Sequence, residues 1–207
     1  MTFRNSIEDR EYDKFAEVNS GKTAVNTLLY GTTSATTTAS IGIDSATNVL
    51  NTISYEHHEI HSGSSYTSDR NVELASGASM DILIITPNTT KWAHLLYEVS
   101  MEAEGQIIIY EAPTATAGTA ITAVNRNRNV TKPATITLSH TPTGITTGST
   151  ILRTHHIGAG KTFGGGARGT HEFILKQNTK YLIRITNLTT SANWAEMILN
   201  WYEHTNK

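Results

Sequence analysis

The chain has 207 residues, a net charge of −2, 16% charged residues and no cysteine. That length buries roughly 70% of the unfolded surface without staples, and the missing thiols exclude disulfides and thiolate metal sites. No basic excess exists to neutralise a run of phosphates, no stretch approaches the roughly 20 apolar residues of a membrane-spanning helix, and the acid-bearing start MTFRNSIEDREYDKF lacks the apolar centre of a signal peptide.

Residues 1–54 read as an N-terminal arm and linker. In EDREYDKFAEV (8–18), Tyr12, Phe15 and Val18 have helix-like or turn-like spacing, but the stretch is too short to hold a helix alone. GTTSATTTAS (31–40) carries no large apolar residue and is predicted to be an extended linker. Residues 41–53 regain apolar character in two short bursts.

From residue 55 to 207 the pattern becomes strand, turn, strand. The predicted strands are Val72–Ala75, Asp81–Thr86, Trp92–Met101, Gln106–Glu111, Thr135–His140, Ile151–Ile157, His171–Lys176, Tyr181–Thr186 and Glu196–His204. In KYLIRIT, Tyr181, Ile183 and Ile185 share one face while Leu182 and Arg184 share the other. Turn signals separate the runs at SGAS (76–79), TPNTT (86–90), EAEG (102–105), TPTGITTG (141–148) and KQNT (176–179). No amphipathic helix is expected after residue 54. Eight or nine strands in this span predict an all-β fold: a jelly-roll-like antiparallel β-sandwich preceded by an extended N-terminal arm.

Several motifs invite chemistry. GAGKT (158–162) looks like the end of a phosphate-binding loop, but the position of the first glycine is His155 and the following FGGGARG cannot open a helix. The stretch 158–169 is instead expected to be a long exposed loop. YEHHEIH (55–61) places His57, Glu59 and His61 on one face of a strand, or His57 and His61 one turn apart on a helix. The zinc-protease spacing is absent and a third ligand would have to come from afar, for example His155 or His156, so no metal and no cofactor is expected. No nucleophile elbow is present, and Glu98, Glu102 and Glu104 read as solvated charges beside a turn. Arg126 and Arg128 in NRNRN read as loop residues, with a carboxylate on a neighbouring chain as the functional alternative. Trp92, Trp194 and Trp201 are assigned to core or interface, with a sugar-stacking platform as the alternative. The glycosylation triplets at Asn88, Asn129 and Asn187 matter only in a eukaryotic secretory route.

The lead FRNSIEDREYDKFAEV with GKTAV, and the phrases TPNTTKWAHLLYEV, NRNRN, LKQNTKYLIRITN and NWYEHTNK, resemble virion structural proteins of tailed bacteriophages, and among these the capsid decoration, or cement, proteins. The resemblance implies a jelly-roll body, often trimeric, fixed to the outer face of a capsid, with the major capsid protein and copies of itself as partners, no catalytic residues, and neither nucleic acid nor membrane bound. The lead, up to about 180 Å long if extended, would then present Phe3, Ile7, Tyr12, Phe15 and Val18 as partner contacts, together with Arg126 and Arg128 of the body. An adhesin of the tail or head fibre, binding host-surface carbohydrate, is the alternative from another class.

Overall fold

A computed structural model describes residues 30–34, 37–40, 55–147, 150–158, 161–164 and 172–205. The chain divides into two units, Met1–Ile53 and Ser54–Lys207.

In the first unit, β1 (Tyr30–Ser34) and β2 (Thr37–Ser40) form an antiparallel hairpin, with Tyr30 opposite Ser40 and Thr32 opposite Thr38. The segment expected to be an extended linker at 31–40 therefore holds two strands that pair with each other. Threonine favours the pleated backbone even where no large side chain is available to bury, and a hairpin partner satisfies its peptide groups locally.

The second unit opens with α1 (Tyr55–His61) and continues through β3 (Ser65–Leu74), β4 (Ser79–Ile85), β5 (Lys91–Met101), β6 (Gly105–Glu111), β7 (Thr114–Thr116), β8 (Thr119–Ile121), β9 (Val124–Asn125), β10 (Thr137–His140), β11 (Thr143–Thr146), β12 (Thr150–Ile157), β13 (Lys161–Gly164), β14 (Phe173–Leu175), β15 (Lys180–Asn187) and β16 (Asn193–Thr205). One sheet has the order β12-β6-β15-β4-β10-β8 and the other β13-β5-β16-β3-β9, with β14 also pairing β5. Taking β13 and β14 as one interrupted strand, the eight main strands pair first with last (β3–β16), second with seventh (β4–β15), third with sixth (β5–β13/β14) and fourth with fifth (β6–β12), all antiparallel. This is a long hairpin rolled into two packed sheets, the jelly roll.

Period-2 alternation supplies the core. Tyr181, Ile183 and Ile185 of β15 are buried with Ile82 and Ile84 of β4, Ile107 and Ile109 of β6, Val99 of β5 and Met197, Leu199 and Trp201 of β16. Each such side chain contributes roughly 1.5–3 kcal/mol on leaving water. On the opposite face of β15, Leu182 joins Leu83, Tyr110 and Ala115 in a second small cluster, packed by Ile145 of the β7–β11 pair. Arg184 there makes a bidentate pair with Asp81, at 2.7 and 2.8 Å.

The excursion between β6 and β12 crosses to the far edge of the sandwich, where β10 pairs β4 and β9 pairs β3. Exposed strand edges invite unwanted pairing, so an excursion that covers them protects the fold. Four expectations are corrected here. β3 starts at Ser65, not Val72, because its register against Trp201 and Tyr202 of β16 sends Tyr66 and Ser68 inward and leaves Thr67 and Asp69 less buried, so the run reads as polar in sequence. TPTGITTG holds β11 as well as a turn. The loop predicted at 158–169 contains β13, which pairs Glu98–Met101 and covers that part of β5. A helix does occur after residue 54: α1 is too short to show a period, and tertiary contacts hold it. It ends in a Schellman cap, with Gly63 at φ +68°, Ser64 N–H donating to Glu59 O and Gly63 N–H to Ile60 O.

Candidate interaction surface and buried polar clusters

NRNRN builds its own loop. Asn125 Nδ2 donates to Gly63 O and Lys132 O, at 2.9 and 3.0 Å. Asn125 Oδ1 accepts from Asn127 N–H, and Asn127 Oδ1 from Asn129 N–H, so alternate asparagines form successive side-chain turns. The intervening arginines face outward. Arg126 finds a carboxylate within its own chain, Glu56 of α1, at 3.0 Å. As a surface pair this contributes about 0–1 kcal/mol. Arg128 reaches back to Asn125 O at 3.4 Å. Phe3, Ile7, Tyr12, Phe15 and Val18 lie outside the described residues.

The tryptophans divide by strand parity. Trp201 is buried, stacks on Tyr66 and donates its Nε1–H to Glu203 at 3.1 Å. Trp92 is half-buried and lines a shallow apolar pocket of about 250 Å³ with Ile174, Leu175, Lys176 and Gln177. Trp194 keeps 51% of its surface exposed, and Ile151, Ile174, Leu188 and Val124 are also exposed. Single exposed apolar side chains are ordinary, but Ile174 beside the half-buried Trp92 makes an apolar spot on the outer side of a sheet. Among the described residues β12 pairs with β6, at the edge of its sheet, and leaves Thr154, His155 and His156 exposed.

Three polar clusters were not visible in the sequence. Glu203, 2% exposed, accepts Thr135 N–H at 2.9 Å, Ile136 N–H at 3.2 Å and the Trp201 indole. Its charge adds to burial in pushing the Tyr66 phenol up to about 12. Asn187, fully buried, donates to Leu74 O, Ala75 O and Ser191 O and accepts from Thr189 N–H and Asn193 Nδ2. It ties the β3–β4 and β15–β16 connections together at one end of the sandwich, and its buried amide has no room for a glycan. His94 of β5, Tyr202 of β16 and Glu172 meet on the outer side of their sheet: His94 Nδ1 lies 2.6 Å from Glu172 Oε1, and Tyr202 OH lies 2.8 Å from His94 Nδ1 and 2.5 Å from Glu172 Oε1. His94 also packs its ring against Tyr202 and His204, each at 4.5 Å between centroids. This triangle clamps β5 and β16 to the segment entering β14. Among the described residues no group of three or more His, Asp or Glu is placed to enclose a metal ion, and no helix is long and apolar enough to cross a membrane.

Fold and surface together define a two-sheet β-sandwich of jelly-roll connectivity whose buried polar groups are spent largely on holding its own strands and loops. No protein-family model and no curated protein matches the chain.

Proposed function

We propose that this chain is a structural virion protein that binds the outside of a phage capsid and stabilises it through protein–protein contacts, as a decoration or cement protein, with copies of itself assembled as a homotrimer. The observation that carries this reading is the division of labour in the body. Glu203, Asn187 and the His94–Glu172–Tyr202 triangle are each hydrogen-bonded within the chain, while exposed Ile174 beside the half-buried Trp92 leaves an apolar spot on the outer side of a sheet. That is the composition of a rigid module whose work is done by contact. A lead with scattered apolar residues, Phe3, Ile7, Tyr12, Phe15 and Val18, adds a segment able to bury them on a neighbour. Binding to the assembled shell alone then stabilises it by mass action.

The test is deletion of residues 1–30, followed by rebinding to particles stripped of this protein. The truncated body is expected to fold and to sediment as the same oligomer, to rebind at least about tenfold more weakly, and to leave the particles less resistant to heat. Unchanged affinity removes the lead as the anchor, and an absence of any particle binding by the full chain removes the reading. Trp194, half exposed at the start of β16 beside the Asn187 cluster, favours a second reading as a fibre adhesin that stacks host carbohydrate on this ring. Saturable glycan binding lost in Trp194→Ala would support it.

A further inference from the structure

We propose that the open corner between the two sheets, beside the β3–β4 turn, binds a small monocarboxylate, with Arg70 holding the carboxylate and an apolar wall holding the body of the ligand. The corner is open because cover stops short on both sheets. β9 pairs β3 only at Tyr66 and Thr67, and β10 pairs β4 only from Ile82 to Ile85. Among the described residues, the edges of β3 beyond Thr67 and of β4 at Ser79–Asp81 therefore have no further strand on that side. Thr141 makes the break. It sits at φ +49°, a conformation that a β-branched residue rarely adopts, and turns the chain out of the sheet after His140. The gap has a volume of about 410 Å³, within the range of small-molecule sites.

Strand alternation puts Arg70 on the inward face of β3. It stands opposite the fully buried Met197 of β16, and between Ser68 and Val72, which face inward with it. Such a position on a sandwich strand ordinarily takes an apolar side chain. The half-buried guanidinium forms no ion pair among the described residues. Asp69 and Glu73 lie on the other face of β3, and Asp81 is taken by its bidentate pair with Arg184. Across the gap, His140 pairs with Ile82 and so faces the same interior. Burial, and after it the charge of Arg70, hold that imidazole below its ordinary value. A partly buried cation without a carboxylate is costly to the fold, and a bound anion would offset the cost.

The walls set the class of ligand. Val72, Leu74, Met80 and Pro142 offer apolar surface next to the guanidinium, and Thr143 and the open edge of β4 offer polar groups. A guanidinium fork matches a planar carboxylate through two parallel hydrogen bonds. One cation flanked by apolar surface suits a monoanion, whereas a phosphate dianion would keep uncompensated charge in a partly dry site. Acidic sugars and short acyl carboxylates share this chemistry. Trp194, opposite Glu73 in the ladder, lies on the other face of its sheet. The proposal is independent of the particle-binding reading.

The test is a ligand-observed NMR titration of the full chain with sodium glucuronate, sodium hexanoate, glucose and inorganic phosphate, with melting temperature followed in parallel. At least one of the two carboxylates is expected to saturate a single site with a dissociation constant on the order of 1 mM, ordinary for ligands of that size. The tighter of the two tells an acidic sugar from an acyl chain. Glucose, which lacks the carboxylate, and phosphate are expected to bind at least about tenfold more weakly. Arg70→Met is expected to weaken the carboxylate at least about tenfold and to leave the melting temperature unchanged or higher, because an apolar side chain suits the inward position. Arg70→Lys keeps the charge and loses the fork, so binding is expected to fall about threefold or more; this variant decides the matter if Arg70→Met does not fold. Failure of both acids to saturate below about 20 mM, glucose or phosphate binding as tightly as the acids, or carboxylate binding that neither Arg70 variant weakens by more than about twofold, overturns the assignment.

Discussion

Replacing Glu203 by alanine removes one carboxylate and strands the donors that converge on it. Thr135 N–H, Ile136 N–H and the Trp201 indole N–H all point at this group, and the side chain is 2% exposed, so water does not replace it without opening the sandwich edge. A buried donor left unsatisfied costs about 1–3 kcal/mol, and removing one partner from a buried charged cluster costs about 3–5 kcal/mol. The relief of a desolvated charge works the other way, which places Glu203→Ala at about 3–5 kcal/mol below the original chain. Against a total stability of about 5–15 kcal/mol this is a large share, equivalent to a melting temperature lower by roughly 6–20 °C for a chain of this size. Glu203→Gln keeps an acceptor oxygen and is expected to lose about 1–3 kcal/mol. Urea unfolding followed by tryptophan fluorescence reads both variants, since Trp201 reports from within the cluster. A loss under about 1 kcal/mol for the alanine variant, at an unchanged denaturant slope, would show that the carboxylate does not hold the Thr135–Ile136 segment.

Asn187→Ala should cost about 2–4 kcal/mol in thermal unfolding, because three carbonyls and the Thr189 N–H lose their partner together; an effect confined to a few tenths would mean that the loops at that end are held elsewhere. Alkaline pH should destabilise the body. Burial, helped by nearby Glu203, raises the Tyr66 phenol to about 12, and burial, opposed by the Lys176 backbone hydrogen bond and reinforced by Glu111, raises Tyr181 to about 12. Folding therefore favours the protonated phenols: their contribution is complete below pH 10, the unfolded value, and is lost as pH rises from about 10 through 12, up to about 2–3 kcal/mol for each tyrosine. Urea midpoints measured from pH 9 to 12 should fall in that window and fall less in Tyr66→Phe; midpoints flat to pH 11.5 contradict the assignment.

Sequence alone determined the class of fold, because strand alternation is a local property. KYLIRIT already divides Tyr181, Ile183 and Ile185 from Leu182 and Arg184, and the structure buries the first set between the sheets and places the second on the outer side. Turn residues between short apolar runs predicted the sandwich for the same reason. Where a strand shows the solvent a polar face, as β3 does from Thr67 to Glu73, its true start at Ser65 is masked. Short elements that live on tertiary contacts, such as α1 and β13, carry too few residues to announce themselves. The candidate site was less legible. NRNRN marked Arg126 and Arg128 as outward-facing, but that Arg126 meets Glu56 depended on where α1 lies. Period 2 says which face a residue occupies and nothing about what stands opposite. Only the pairing of β16 with β5 puts Tyr202 against His94, and only the return of the β6–β12 excursion brings Thr135 and Ile136 to Glu203, across 68 and 67 residues of sequence. Those encounters are decided by which strand edges find each other and by the need to satisfy every buried donor, conditions that exist only once the two sheets have closed.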